Sequence, residues 1–271
     1  MNNKKIGIIG FGVVGRAAYF TLSKQYEIVK YDKYQKLDNF IDLNGCKFVF
    51  IMVPTPFDCS RNEVDKSAVL DSLDNLDKIN FGGIVILKST VPPGFCDTIL
   101  EKYNFDIVFN PEFLRESTTP NEDFEKQDTV VIGTLSEKIF KDVKKMYQKV
   151  LRTDASYYQT TNTEAEMIKC AQNTMLSSRV AIANIIYDAC EEYSIDYQKI
   201  REIAFDSFDI LGPHMVQVPG PDGNRGFGGK CLPKDIRAFC TSYESDVLRK
   251  IIDYNDTLRD DLDKVLLNFK K

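Results

Sequence analysis

The run Gly10-Phe11-Gly12-Val13-Val14-Gly15 constrains this chain more than any other feature. It follows the apolar segment Lys5–Ile9 and opens a helix-like stretch, Val14–Ser23, so three glycines sit at a strand-to-helix turn. Each glycine there has its own task. The first permits the tight turn, the second lets backbone approach a pyrophosphate, and the third lets the helix close on the strand. The free N–H groups at the helix start then face the anion. Asp32 follows at the expected distance of about 20 residues, after a second strand candidate, Glu27–Tyr31. A carboxylate at that place accepts hydrogen bonds from both ribose hydroxyls and repels a 2′-phosphate, which favours NAD over NADP. Lys33 and Lys36 keep NADP open. Gly10, Gly12, Val13, Val14, Gly15, Asp32 and Lys33 are therefore candidate cofactor contacts.

The same alternation of strand and helix continues. Phe48–Met52, Ile84–Lys88, Asp106–Phe109 and Thr129–Ile132 are short, largely β-branched or aromatic runs bounded by turn residues, and Ser67–Lys78 reads as helix. Strands alternating with helices imply βαβ crossovers and a parallel sheet covered on both faces. The fold class expected is α/β, a Rossmann-type doubly wound parallel sheet, followed by a mainly helical domain built on one long helix. The division expected is residues 1–155 for the NAD-binding domain and 156–271 for a central domain. Thr163–Ala204 contains no strong breaker and its apolar positions recur at three and four, with Asn-Thr-Glu as an N-terminal cap. A turn-rich stretch, Gly212–Gly229, follows, and Asp235–Lys271 reads as helix again. The apolar surface of the long helix exceeds what a small domain covers, so a homodimer is expected.

Composition narrows the partners. The 271 residues suffice for one or two domains with an adequate core. A net charge of -5 argues against a nucleic-acid partner driven by bulk charge. Apolar runs fall short of the ~18–20 residues of a membrane span, and the N-terminus lacks a signal-peptide pattern. The seven cysteines are odd in number and form no Cys-x-x-Cys pair, which suits a reduced, cytoplasmic protein. The single histidine, His214, excludes sites that require two, and no metal site is expected.

Five further segments carry chemistry. Val53-Pro54-Thr55-Pro56 and Lys88-Ser89-Thr90-Val91-Pro92-Pro93-Gly94 follow strand ends, where open α/β sheets bind ligands. Thr55 and Thr90 offer hydroxyls to a cofactor; taken alone, each loop also reads as a plain turn. In Asn110-Pro111-Glu112-Phe113-Leu114-Arg115-Glu116, two carboxylates four positions apart share a face if helical, suiting a general base and a positioning group. A solvated acidic first turn explains them as well. Lys169 and Asn173, one helical turn apart, make a pair able to hold an oxyanion, or a surface stripe. In Gly226-Phe227-Gly228-Gly229-Lys230-Cys231-Leu232-Pro233-Lys234-Asp235, glycines admit a ligand and Cys231 precedes a helix start beside lysines, which lowers a thiol pKa. The other six cysteines read as inert.

Together, GFGVVG, VPTP, STVPPG, NPEFLRE, AEMIKCAQN and GFGGKCLPKD, in that order, resemble the UDP-glucose/GDP-mannose dehydrogenases, most closely the branch acting on UDP-glucose. The resemblance runs from Ile6 to about Asn255. It implies NAD-dependent four-electron oxidation of the C6 alcohol of a nucleotide sugar. Cys231 matches the family nucleophile, which captures the aldehyde as a thiohemiacetal and then carries a thioester. The resemblance implies oxyanion stabilisation by Lys169 and Asn173, and Asp235 acting as or orienting a base. It gives Glu112 the hydrolytic water, and Thr90 and Glu116 the positioning of a water or the nicotinamide. Substrate contacts would come from Phe113, Leu114, Arg115, Lys169, Asn173, Phe227, Gly228 and Gly229. Two features depart from the family. A third, UDP-binding domain is expected to be absent. The loop from Leu211 to Gly223 carries His214 but no arginine before Arg225, where family members often place one.

Two other function classes stay open. A two-electron β-hydroxyacid or 6-phosphogluconate-type dehydrogenase shares the lysine and asparagine but needs no nucleophilic cysteine. A non-catalytic module would bind NAD or a nucleotide sugar without turnover.

Overall fold

A computed structural model describes residues 2–114, 119–212 and 214–259. Its first strand, β1 (Asn2–Ile9), runs into the glycine turn and then α1 (Val13–Leu22). β2 (Glu27–Tyr31) and β3 (Cys46–Ile51) follow, joined by a stretch that holds only a 3₁₀ segment, Phe40–Gly45. A short antiparallel hairpin, β4 (Phe57–Asp58) and β5 (Glu63–Val64), precedes α2 (Ser67–Lys78). Then come β6 (Ile84–Leu87), α3 (Phe95–Ile99), β7 (Asp106–Phe109), α4 (Pro120–Glu125), β8 (Thr129–Gly133), α5 (Glu137–Tyr147) and β9 (Ser156–Thr160). The seven-stranded sheet has the order β2-β1-β3-β6-β7-β8-β9. All its pairings are parallel except β7 with β8, which meet antiparallel at Phe109 and Gly133.

The connection from β2 to β3 holds no α-helix, β3 lies beside β1, and β2 is at the edge of the sheet. Asp38 covers part of that edge. Its side chain accepts the Lys30 N–H at 2.8 Å and its N–H donates to the Lys30 carbonyl at 3.0 Å. The strand order reverses at β1, which places the ligand crevice of such a sheet at the C-terminal ends of β1 and β3. Both faces are buried, as the continuous apolar runs require. Val49, Ile51, Val85 and Leu87 join α2 and α3 in one cluster. Phe48, Phe50, Ile84 and Ile86 point the other way, with Ala17, Val143 and Tyr147 of α1 and α5.

The long helix α6 spans Asn162–Glu192, and α7 (Tyr197–Arg201) continues into a π-turn, Glu202–Asp206. The uninterrupted helix expected over Thr163–Ala204 is thus broken. Ser194 adopts φ 54°, and the Asp196 side chain caps α7 through the Gln198 N–H at 2.9 Å. The start also differs. Thr161 is the cap: its hydroxyl accepts the Glu164 N–H at 3.1 Å while Glu164 accepts the Thr161 N–H at 2.7 Å, a reciprocal capping box. Asn162 instead serves β7, accepting the Phe109 N–H at 2.7 Å. The tail expected as one helix from Asp235 forms α8 (Leu232–Ser242) and α9 (Asp246–Thr257), separated where Ser245 caps α9. Residues 260–271 of that stretch lie outside the described residues.

Chain contacts divide the protein into two compact units, Met1–Thr55 with Asp65–Lys169, and Pro56–Val64 with Cys170–Lys271. The hairpin belongs to the second because Phe57 and Val64 pack on Ala238 of α8. There α8 and α9 also join Ala181, Phe227 and Ile236 in a small core. Among the described residues no helix is long and apolar enough to cross a membrane.

Candidate functional site

In the first unit, the glycine turn has the three properties a bound dinucleotide needs. Gly10 holds φ +91°, and a Cβ on it would meet the Met52 carbonyl at 2.5 Å. A Cβ on Gly15 would come within 2.1 Å of the Gly10 carbonyl, so helix and strand pack backbone to backbone. A Cβ on Gly12 would meet nothing within 4 Å, which leaves open space at the N-cap of α1. That first turn has no acidic residue and no side-chain cap, so its N–H groups and dipole can take an anion. Val13 is exposed and Val14 half-buried beside it. The Asp32 carboxylate accepts the Phe11 N–H and the Tyr34 N–H, both at 2.9 Å. This locks it onto the glycine turn and leaves lone pairs for ribose hydroxyls. The residues fit a dinucleotide. Lys33 is turned to Asp71 at 3.2 Å, and that contact raises its pKa.

The loops after β3 and β6 meet where the Thr55 hydroxyl donates to the Thr90 carbonyl at 2.7 Å. Ser89 ties the same loops by donating to the Val53 carbonyl at 2.7 Å. Thr55 is buried and Thr90 half-buried.

Glu112 follows β7. One of its oxygens accepts the N–H groups of Phe113 and Leu114 at 2.9 and 3.1 Å. The other stands 3.1 Å from the Lys88 ammonium. The Phe113 ring lies 5.4 Å from the Lys169 ammonium, a cation–π contact. Leu114 packs at the edge of the core on the α1 side. Three residues before Lys169, Glu166 is fully buried and accepts the N–H groups of Gly94 and Cys96, at 2.6 and 2.8 Å. Burial pushes the Glu166 carboxyl up and these bonds partly oppose it; burial also pushes the Cys96 thiol well up. Lys88, Asn110 and Glu166 were not among the expected site residues. The available signal was a lysine closing the apolar run Ile84–Leu87 and a glutamate three before Lys169 on the long helix.

In the second unit, Cys231 is exposed and forms the N-cap of α8. Asp235, one turn in, is fully buried, and its N–H donates to the Cys231 carbonyl at 2.8 Å. One carboxylate oxygen accepts the Asn173 amide and the other lies 2.6 Å from the Lys234 ammonium. Lys169 and Asn173 are both nine-tenths or more buried, so neither belongs to an outward stripe.

The glycines before Cys231 are held from behind. Asn255 accepts the Phe227 N–H at 2.7 Å and donates to its carbonyl at 3.2 Å. Arg259 is nearly buried, pairs with Asp222 at 2.7 Å, and would lie within 2.4 Å of a Cβ on Gly228. Gly229 holds φ +74° with open space beside it. The Phe227 ring is buried against Ala181 and Ile236, so its contribution toward a ligand is backbone. Arg225 turns to Asp188 and stacks on Tyr187 at 5.1 Å. Arg115 and Glu116 lie outside the described residues.

The glycine turn precedes the stretch that matches known families. Residues 34–151 match the NAD binding domain of the UDP-glucose/GDP-mannose dehydrogenase family, and residues 163–257 match its central domain. A UDP-glucose 6-dehydrogenase of Rickettsia bellii is 33% identical over 227 residues, covering 81% of this chain and 49% of that protein. A putative UDP-glucose 6-dehydrogenase of Bacillus subtilis is 33% identical over 232 residues, covering 79% of this chain and 51% of its own. The chain thus spans about half the length of these curated relatives. In fold, it is similar to a UDP-glucose dehydrogenase from Pyrobaculum islandicum, with a TM-score of 0.79 at 24% identity over 94% of this chain and 68% of that one. A UDP-D-ManNAc dehydrogenase from Pyrococcus horikoshii gives 0.81 at 21% identity, with the same coverage. Two consecutive domain matches, in the order of the glycine turn and the Cys231 segment, carry the conclusion that the chain belongs to the UDP-glucose/GDP-mannose dehydrogenase family.

Proposed function

We propose that the chain oxidises the C6 primary alcohol of a nucleotide sugar to a carboxylate in two NAD-dependent steps, with UDP-glucose as substrate and UDP-glucuronate as product. The observation that carries this reading is the geometry of α8. Cys231 is exposed at its N-terminus, and Asp235, buried one turn in, is bonded to Asn173. A thiol at a helix N-terminus is biased toward thiolate.

Gly10, Gly12, Val13, Val14, Gly15 and Asp32 hold the NAD, with Lys33, Thr55, Thr90 and Glu116 at its margins. NAD held there would supply the hydride acceptor, one molecule for each of the two oxidations. After the alcohol becomes an aldehyde, the Cys231 thiolate adds to its carbon. A C–S bond forms and the carbonyl pair moves onto oxygen, where Lys169 and Asn173 donate to it. Loss of a second hydride leaves a thioester. Glu112 then takes a proton from water as it adds, the C–S bond breaks, and the thiolate returns with the acid released. Asp235 orients these donors through Asn173 or exchanges their protons. Thr90 and Glu116 position the water. Phe113, Leu114, Arg115, Phe227, Gly228 and Gly229 contact the substrate. In this reading residues 1–155 form the cofactor domain and 156–271 the helical domain that makes a homodimer in the cytoplasm, with no nucleic-acid or membrane partner.

Counting NADH formed per UDP-glucose tests the reading. Two are expected. One favours a two-electron dehydrogenase. None, with NAD still bound in calorimetry, favours a binding module.

A further inference from the structure

Lys88 stands immediately after β6, and its side chain is fully buried. Its ammonium reaches four acceptors, all on three successive residues. These are the Asn110 side-chain oxygen at 2.9 Å, the Asn110 carbonyl at 3.3 Å, the Pro111 carbonyl at 3.4 Å and the Glu112 carboxylate at 3.1 Å. The acceptors are themselves fixed. Tyr147 donates its hydroxyl to the Asn110 oxygen at 2.6 Å, and the Asn110 amide donates to the Val131 carbonyl at 2.7 Å. The Phe124 ring closes the site 5.5 Å from the ammonium.

A clamp that only joined this loop to the sheet would need no charge, and burying a cation is costly. Burial lowers the Lys88 pKa, the Lys169 charge lowers it further, and Glu112 opposes both. The cation is retained at a place where it touches one carboxylate. That carboxylate differs from it in access: the Glu112 side chain is 11% exposed and the Lys88 side chain 0%. Lys88 therefore holds the buried oxygen of Glu112, while the other oxygen is held by the Phe113 and Leu114 N–H groups. With its three N–H groups engaged and no exposure, Lys88 is unsuited to be a nucleophile itself.

We infer that Lys88 is the positioning residue of Glu112: its buried ammonium, held by Asn110 and Pro111, fixes the orientation of the carboxylate for the acid-releasing step. This rests on the reading of Glu112 as the base for thioester hydrolysis. Among the described residues, the titratable groups that bear on the Lys88–Glu112 pair are Lys169 of α6 and Tyr147 of α5.

The test compares wild type, K88M, K88R and E112Q. Carboxyl-carbon NMR of the glutamates, with the Glu112 signal assigned from its absence in E112Q, needs no turnover. At a fixed pH of about 7.5, K88M is expected to displace the Glu112 carboxyl signal and K88R to restore it. With UDP-glucose and NAD, K88M is expected to keep the rapid NADH burst while steady-state turnover falls about tenfold or more, and K88R to recover it. An unchanged Glu112 signal, or an unchanged steady-state rate, in folded K88M overturns the inference. If E112Q fails to slow steady-state turnover, the reading of Glu112 as base falls, while the NMR still decides whether Lys88 governs the carboxylate. Should K88M not fold, K88Q carries the NMR comparison, with the same outcomes.

Discussion

Glu166 accepts the backbone N–H of Gly94 at 2.6 Å, across 72 positions of sequence. Gly94 holds φ +89° and begins α3, so the carboxylate caps that helix while standing on α6 three residues before Lys169. This ties the loop carrying Thr90 to the helix carrying Lys169. E166Q turns an amide NH₂ toward one of the two backbone N–H groups and should cost about 1–3 kcal/mol at pH 7. Burial raises the folded pKa of Glu166 above the ordinary 4.5. The folded state therefore binds the proton more tightly, and the wild-type margin over E166Q shrinks as pH rises from 4.5 through the raised value. Urea titrations of both proteins at several pH values check this; a margin that grows with pH contradicts it.

Gly12 and Gly15 separate binding from folding. G12A meets open space at an ordinary φ of -78°, so the fold should keep its melting temperature. The added methyl intrudes where the pyrophosphate would lie, and NAD affinity should fall about tenfold or more, roughly 1.4 kcal/mol. G15A pushes against the Gly10 carbonyl and should cost about 1–3 kcal/mol of stability. Calorimetry for NAD and thermal melts of the two variants give the contrast. Equal melting temperatures would refute it.

The buried Lys234–Asp235 pair predicts non-additivity. K234M leaves the Asp235 charge with less compensation and should cost about 3–5 kcal/mol. The double variant K234M/D235N should lose less than the sum of the single changes. Denaturant unfolding of the four proteins measures the coupling, and strict additivity would show that the contact carries none.

Met175, Ile182 and Ile185 are 65%, 53% and 53% exposed on α6. Apolar side chains repeated along one long helix mark a surface that a second copy can cover. Light scattering at micromolar concentration should give a dimer for wild type and a monomer for I182E/I185E. A monomeric wild type would remove the proposed interface.

The sheet was legible because short, continuous apolar runs and the turn residues that bound them are local signals. Glu27–Tyr31 and Asp106–Phe109 appear with the ends their sequence predicts, as does the helix Ser67–Lys78. β9 escaped notice because Ser156–Thr160 is mostly polar and half-exposed, and the hairpin because two-residue strands have no period. The end of α6 was hidden because Cys190–Ser194 holds neither glycine nor proline. There Ser194 takes the left-handed conformation, and Cys190 accepts the Ile195 N–H at 2.8 Å.

By itself the sequence determined the α/β class, the glycine turn, Asp32 and the residues that resemble a nucleotide-sugar dehydrogenase, since each depends on neighbours along the chain. Tertiary structure decided the strand order, with β3 beside β1, because chain length permits a return without choosing its side. It also decided what the side chains of the site do. A lysine at a strand end reads as solvent-facing until Asn110, Pro111 and Glu112 are seen to surround it. A glutamate on a helix reads as surface until Gly94 and Cys96 are seen to need its oxygens. Those partners lie 22 to 72 positions away, and burial, which gives charge its force there, exists only once the fold has brought them together.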